Sequence, residues 1–515
     1  MTVANRLRLL KYPIEMLSSV SKTFQEVVPL KLLRSKLLQQ SGLYLVGQTF
    51  QRAVSVLLLP VWTIYLTPSD YGIMGTLNAY GGVINIVLMF GIYGAVTRHY
   101  FDFKHDYETQ RRYVSSNFLF MAVVPGVILT ALILFGRSLW SHATSGKIPF
   151  QPLVVLMLIS VYGGLLYRLP YSLYQAQQKV KKCVLLDFVG FTLSVAIGLL
   201  LVVGWKKGIY GYILGGCIAQ VSIALLATGL LIREWFVPKV EWRHISSSLA
   251  FGLPLVPHLL SAWALTFVDR VMLERMVPLD EVGRYTLGYT LGMVMLMVVT
   301  SINDAYQPYY YNLMSSSPNP QPRIRRIISF YLAGLGCVTL IGSIFAGEFI
   351  ALLTPVKYHR SALYVPPVIL GYFTVGLYYF VSSPIFYYKK THVLPIVTGI
   401  SAVLNIVLNY LLIPRFGALA AAWNTLICYA FMLVIYYVVA QKQSAFPYPI
   451  WRTMLMFVFL LTAIFVSGSV AVFTPAAWLI KSVMVGVYSI FAYLLFIKPF
   501  HAMETVAPGG PISHP

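Results

Sequence analysis

Charge is what this sequence has least of. Only 10% of its 515 residues are Asp, Glu, Lys or Arg, where a soluble globular chain carries about 25%. A water-facing surface of ordinary size could not be covered with so few charges. Acid is scarcer still, with 16 Asp and Glu against 38 Lys and Arg. The four cysteines (Cys183, Cys217, Cys337, Cys428) lie singly in apolar stretches, which excludes a disulfide scaffold and a cysteine metal site. No GxxxxGK[ST] phosphate loop is present, and no polar break is longer than about 20 residues, so a nucleotide-binding domain has no place to form. The first 41 residues are basic and only patchily apolar. They lack the apolar core and small-residue cleavage site of a removable signal.

Apolar sequence is abundant: 58% of residues are hydrophobic, 15% are aromatic, and the mean hydropathy is +0.74. With about 20 residues per span, the pattern predicts an all-α polytopic membrane protein with about fourteen transmembrane helices. These fall near 42–66, 73–97, 113–136, 151–174, 183–204, 209–232, 246–268, 285–308, 327–353, 361–386, 393–413, 417–440, 453–474 and 476–497. Of the basic residues, 25 fall in the tail, the even-numbered breaks and the C-terminus, and 10 in the odd-numbered breaks; Arg52, Arg168 and Lys481 lie within spans. Basic loops are retained in the cytoplasm, so both termini are expected there. The net charge of +22 is then topogenic, and no nucleic-acid partner is called for.

Two segments match at a nearly constant offset. Pro68-Ser69-Asp70-Tyr71-Gly72 joins spans one and two, and Pro278-Leu279-Asp280-Glu281-Val282-Gly283 joins spans seven and eight. Gly208-Ile209-Tyr210-Gly211 and Gly417-Ala418-Leu419-Ala420 match similarly. The offset implies two parallel six-helix halves, 42–232 and 233–440. They are flanked by a tail (1–41), two additional helices (441–497) and a C-terminal tail (498–515). Repeated halves are a transporter's architecture, with the substrate site between them.

A charge at mid-span costs roughly 2.5–3.5 kcal/mol on insertion scales, so each needs a partner or a wet cavity. Arg52 stands about ten residues into span one, with Gln48 and Ser55 on its face; it reads as a cationic cavity wall or as half of a structural ion pair. Arg168, near Pro170, either snorkels to headgroups or acts within the path. Asp269 and Arg270 end span seven as fixing residues or as a gate and anion contact, and His258 follows the kink-forming Pro254 and Pro257. Asp187 either carries a coupling proton or pairs with Lys181 or Lys182. Asn303, Asp304 and Gln307 cluster near the cytoplasmic end of span eight. With Asn405, Asn409 and Asn424 they are candidates for sugar contacts or for inter-helix hydrogen bonds; Asp304 is also a candidate for coupling or gating. No metal site and no cofactor are expected, apart from a coupling ion (H+ or Na+) of undetermined identity.

The linked elements Phe251-Gly252-Leu253-Pro254-Leu255-Val256-Pro257-His258, Asp269-Arg270 and Glu281-Val282-Gly283-Arg284-Tyr285, together with Tyr65-Leu66-Thr67-Pro68-Ser69-Asp70-Tyr71-Gly72 and Arg98, resemble the oligosaccharide flippases of the polysaccharide transporter family. That family includes the O-antigen and exopolysaccharide exporters of the multidrug/oligosaccharidyl-lipid/polysaccharide exporter superfamily. Arg284 departs from the apolar residue the family has there. The resemblance implies a bacterial inner-membrane flippase, not an enzyme, that turns polyprenyl-pyrophosphate-linked oligosaccharide to the outer leaflet by alternating access. Cationic cavity residues would face the pyrophosphate, giving Arg52, Gln48, Arg270 and His258 substrate roles and Arg98, Arg168, Asp187, Asp269 and Asp304 coupling or gating roles. Polysaccharide polymerase and chain-length proteins are implied partners. A peptidoglycan-precursor flippase and a multidrug exporter are the related alternatives. A membrane polymerase or glycosyltransferase would need a large outer loop or clustered acids, which the sequence lacks.

Overall fold

The computed structural model describes residues 43, 47, 50–51, 53–103, 105–443, 447–468 and 474–499. Among them, thirteen helices are long and apolar enough to cross a membrane, and a shorter apolar helix, Ala53–Tyr65, precedes them. The described chain is therefore an all-helical multi-pass membrane protein, with one helix for each of the fourteen expected spans.

Helix α1 (Ala53–Tyr65) ends at Leu66, and α2 (Pro68–Met89) starts at once. The start is written locally. The Thr67 hydroxyl accepts the Asp70 N–H at 3.2 Å, while the Asp70 carboxylate accepts the Thr67 N–H at 2.8 Å, a reciprocal cap with proline at the first helical position. Span two is not continuous. Phe90 (φ 51°) and Gly91 (φ 68°) are left-handed, a conformation that ends a helix, and α3 (Ile92–His99) follows. Then come α4 (Tyr107–Ala143), α5 (Phe150–Ala176), α6 (Val180–Gly204) and α7 (Gly208–Trp235). The second repeat begins with α8 (Trp242–Met276) and α9 (Leu279–Ser316). Next are α10 (Gln321–Ile344) and the short α11 (Ala346–Leu353), where the expected ninth span breaks at Phe345. Helices α12 (Val356–Tyr387), α13 (Val393–Phe416) and α14 (Ala418–Gln443) complete the repeat, and α15 (Ile450–Gly468) and α16 (Pro475–Ile497) are the additional pair.

Two large apolar cores result. One is built from residues of α2 to α5 and α7, such as Val96, Tyr113, Leu165 and Trp235. The other runs through α8 to α16 and takes in Leu66, Tyr71 and Val202 from the first repeat. Helix α12 is buried on nearly all sides, as expected of a helix with no polar face. The chain passes from one core to the other inside α8. Its stem, Trp242–Gly252, is bonded to α4 through the Tyr113 and Ser248 hydroxyls at 2.6 Å. The chain leading into the stem is bonded to α4 as well: the Ser115 hydroxyl donates to Val237 O at 2.6 Å, and the Glu241 N–H donates to Ser116 at 3.0 Å. A short 3₁₀ turn containing Pro254 follows at Leu253–Leu255, and the rest of α8 packs mainly on α13 and on α2 of the first repeat.

The additional pair is tethered by charge. Lys481 of α16 donates to Glu348 of α11 at 2.5 Å, both almost fully buried. Removing one partner of such a pair strands the other and costs about 3–5 kcal/mol. Lys481→Ala is therefore expected to lower the thermal unfolding midpoint of the purified protein clearly, and Lys481→Met combined with Glu348→Leu to recover most of the loss. A Lys481→Ala protein as stable as the parent would show that the tether lies elsewhere.

Candidate transport pathway between the repeats

Hydrogen bonds join the two repeats on both faces: those from α4 to the stem of α8 lie beside the even-numbered breaks, and a second group lies on the face that carries the odd-numbered breaks. There the matched segments touch each other. Ser69 donates to Asp280 at 2.5 Å, and the two residues are separated by the same 211 positions as Gly72 and Gly283. These glycines face each other across the junction: a Cβ on Gly283 would overlap the Pro68 carbonyl, and one on Gly72 the Leu279 carbonyl. Only hydrogen fits where backbone meets backbone. Lys357 Nζ donates to Leu66 O at 2.8 Å and Tyr358 OH to the same oxygen at 3.1 Å.

The loop between α4 and α5 completes the seal. The Ser145 N–H donates to both carboxylate oxygens of Glu274 (3.2 and 3.1 Å), and its hydroxyl donates to the same carboxylate. Glu274 is fully buried. Lys147 Nζ donates to Glu274 O and Val277 O at 2.9 and 3.0 Å, the placement that suits a cation at a helix C-terminus. None of Ser69, Ser145, Lys147, Glu274, Asp280 or Lys357 stood out as a site residue in the sequence, although the shared offset marked two of their segments.

Gly283→Ala tests the seal. Overpacking costs about 1–3 kcal/mol, whereas alanine in a free helix would be favourable by up to about 1 kcal/mol. Labelling of Ser69→Cys by an impermeant thiol reagent is expected to rise several-fold in the Gly283→Ala background. Unchanged labelling would mean that the backbones do not form the closed contact.

Toward the opposite face, the two breaks in the helices meet. Cβ atoms on Gly91 and Gly252 would each overlap the other strand of the junction, Gly252 O and Phe90 O respectively, and Trp263 Nε1 donates to Ala79 O at 3.1 Å. The next turn of α3, at Gly94, lies against Phe251 and Leu255.

Arg168 stands beside this seam. It is half-buried on α5, about 12 Å from the even-face end of the helix at 1.5 Å per residue. Its guanidinium is held by aromatic rings. It lies over the rings of Tyr93 on α3 (5.2 Å) and Tyr171 (5.5 Å), contacts that favour a cation by about 0.5–2 kcal/mol, and no carboxylate among the described residues pairs with it. Of the two expectations for Asp187 on α6, a coupling proton or a pair with Lys181 or Lys182, the pair is not formed; the carboxylate accepts the hydroxyls of Tyr167 and Tyr171 at 2.7 and 2.8 Å. Lys179 and Lys182 reach Glu234 instead, at 3.2 and 4.0 Å. Asp187 thus fixes the ring on which Arg168 rests. Arg52 and Gln48 lie outside the described residues; their described neighbours Gly47 and Phe50 lie against Val184 and Phe188 of α6.

Arg98 is at the exposed end of α3, paired with Asp102 at 2.6 Å, outside the membrane interior. Hydrogen bonds from His99 and then Arg98 hold the Asp102 carboxyl below its usual range.

In the second repeat, Arg270 is sealed in rather than presented to a cavity. It donates to Asp269 at 2.9 Å and to Thr266 O at 2.7 Å, and lies 4.2 Å from the ring centroid of Tyr289. Tyr285 also donates to Asp269. The pair is internally neutralised, the arrangement that buried charges require. Asn405, Asn409 and Asn424 are likewise enclosed and linked, Asn424 to Asn409 at 2.9 Å and Asn409 to Asn405 at 3.1 Å. They bind α13 to α14 and present no open surface to a sugar. His258 and Ser261 lie in a groove of about 810 Å³ between α8 and α13 that is otherwise apolar, together with Pro257, Ile396, Ile400 and Val403.

Asn303, Asp304 and Gln307 lie in the second half of α9, which continues about 18 Å past Asp304 to Ser316. Asp304 is exposed, Asn303 and Gln307 half-buried.

Comparison with known proteins bears on this geometry. The model of the family described as "Polysaccharide biosynthesis protein" matches residues 37–314, just over half of the chain. The chain belongs to that family. An Lsg locus protein of Haemophilus influenzae is 22% identical over 294 residues, 54% of this chain and 67% of that one. Among solved structures, a lipid II flippase MurJ in an inward closed conformation superposes with a TM-score of 0.66 at 15% identity, over 88% of this chain and 99% of that one. An inward-facing multidrug resistance transporter of the MATE family, in the MOP superfamily, superposes at 0.62 and 12% identity, over 79% and 95%. A MOP superfamily transporter from Pyrococcus furiosus superposes at 0.52 and 12% identity, over 78% and 95%. The family membership agrees with the resemblance carried by the residue motifs, and the fold is that of MOP superfamily transporters.

Proposed function

We propose that this family member is a flippase that turns polyprenyl-pyrophosphate-linked oligosaccharide from the cytoplasmic to the outer leaflet of the bacterial inner membrane, for surface polysaccharide synthesis. The observation that carries the reading is Arg168, a guanidinium held by two rings on a membrane-spanning helix and paired with no carboxylate among the described residues. An always-charged planar group with free donors suits the oxygens of a diphosphate. A cation exporter would be repelled by it. A peptidoglycan precursor shares the diphosphate; the match to a polysaccharide biosynthesis family supports the present reading.

In this reading the odd-numbered breaks face outward and both termini are cytoplasmic. The outer side is closed, and the headgroup enters from the cytoplasm while the polyprenyl chain stays in lipid. The seal consists of hydrogen bonds worth roughly 0.5–1.5 kcal/mol net each. It can hold at rest and still yield to a substrate that favours the other state by a few kcal/mol. Parting the repeats would expose Ser69, Asp280, Ser145 and Glu274 to outer water, which replaces their hydrogen bonds. Alternating access then follows from two repeats that exchange one sealed face for the other.

Cells lacking the gene test this reading. A complete lipid-linked repeat unit is expected to accumulate, shielded from an impermeant glycosidase, with loss of polymer. If the unit becomes cleavable as fast as in the parent, flipping is not the function.

A further inference from the structure

We propose that one face of α9 receives the saccharide, and that Asp304 on it selects neutral or amino sugars against acidic ones. This rests on the lipid-linked reading above and deepens it. The exposed positions of α9 are Thr290, Val294, Ser301, Ile302, Asp304, Ala305, Pro308, Asn312, Ser315 and Ser316. The Thr290 and Ser301 hydroxyls are satisfied by carbonyls of their own helix, and from Asp304 onward the face carries no large apolar side chain. An unpaired carboxylate and an amide, Asp304 and Asn312, are costly against hydrocarbon. This half of the α9 face therefore borders water.

Asp304 is the charge on this wall. It is exposed about three turns inside the helix end, and no basic side chain among the described residues pairs with it. Tyr379 of α12 is within its electrostatic reach. Half-buried Asn303 and Gln307 flank it, and Asn303 Oδ1 has no hydrogen-bond partner. A carboxylate, two amides and a tyrosine ring are acceptors, donors and an apolar face suited to sugar hydroxyls. An ionised carboxylate only accepts, so it favours hydroxyl and ammonium donors and repels a uronate or other acidic substituent. The cationic group, Arg168, belongs to the other repeat. The diphosphate and the sugar thus have separate walls of opposite charge.

The test is binding of synthetic lipids to the purified full-length protein, measured by native mass spectrometry. The probes are polyprenyl-pyrophosphoryl N-acetylglucosamine, polyprenyl-pyrophosphoryl glucuronic acid and the uncharged polyprenol. The parent is expected to prefer the neutral sugar over the acidic one by about tenfold, the effect of one like charge across a hydrated gap. Asp304→Asn is expected to gain affinity for the acidic lipid until the two differ by less than about threefold, and Asp304→Glu to keep the parent's preference. A gain of binding does not arise from misfolding. An unchanged preference in Asp304→Asn overturns the inference while leaving the flippase reading in place. If the parent binds neither pyrophosphoryl lipid better than polyprenol, the flippase reading fails and the inference fails with it.

Discussion

Joining Ser69→Cys to Asp280→Cys with a short bis-thiol reagent is expected to reduce transport to the level of cells without the gene, and a reducible linker to restore it on reduction. The two side chains are 2.5 Å apart and come from equivalent positions of the two repeats. Their backbones are held together by Gly72 and Gly283, where no side chain fits. A covalent link there replaces bonds of about 1 kcal/mol with one that thermal motion cannot break. Each single cysteine variant loses at most one hydrogen bond from a seal that also includes Lys357, Tyr358, Ser145 and Lys147. The unlinked variants should therefore transport at near the parental rate, which separates locking from damage. Transport that continues with the link formed would mean that the repeats need not part at this face.

Arg168→Gln carries the second large effect. Removing a guanidinium from a desolvated diphosphate leaves charged oxygens without their partner, a loss of roughly 2–5 kcal/mol, or about thirtyfold to several-thousandfold in binding. Arg168→Lys keeps the charge but not the planar fork or the stacking on Tyr93 and Tyr171, so partial activity is expected. Tyr93→Phe keeps the ring and should be close to the parent, whereas Tyr93→Leu removes half of the clamp and should resemble the lysine variant. Binding of farnesyl pyrophosphate, compared with farnesol, reads these differences without transport. Equal affinity of Arg168→Gln and the parent for the pyrophosphate would remove Arg168 from the substrate site.

Much of this arrangement is written in the chain, but unevenly. Spans are legible because length and apolarity alone decide them, and the repeat because Gly72 and Gly283 each had to stay small. Contact between the repeats is not legible: an offset identifies equivalent segments without saying that they touch. Asp187 misleads because lysines stand near it in sequence, while Tyr167 and Tyr171 reach it from a neighbouring helix at positions that only packing defines. Asp269 and Arg270 leave a fixing role and an anion contact open in sequence; packing decides, because the Arg270 guanidinium folds back onto the adjacent Asp269. The length of α9 is not legible either, because Tyr309, Tyr310, Tyr311 and Asn312 look like the end of a helix, whereas Tyr310 is buried and the helix continues to Ser316. The break at Phe90–Gly91 escapes notice because a left-handed phenylalanine has no local signature.

The most direct measurement is translocation by the purified protein alone. Proteoliposomes would be prepared with polyprenyl-pyrophosphoryl N-acetylglucosamine in both leaflets, and the outer sugars modified by an impermeant enzyme. If the protein is a flippase for this class of lipid, nearly all of the sugar becomes accessible in its presence. In empty vesicles and in vesicles holding the locked Ser69→Cys/Asp280→Cys protein, accessibility should stop at about half, the share of a single leaflet. Accessibility that stops at that share with the active protein as well would contradict the central claim.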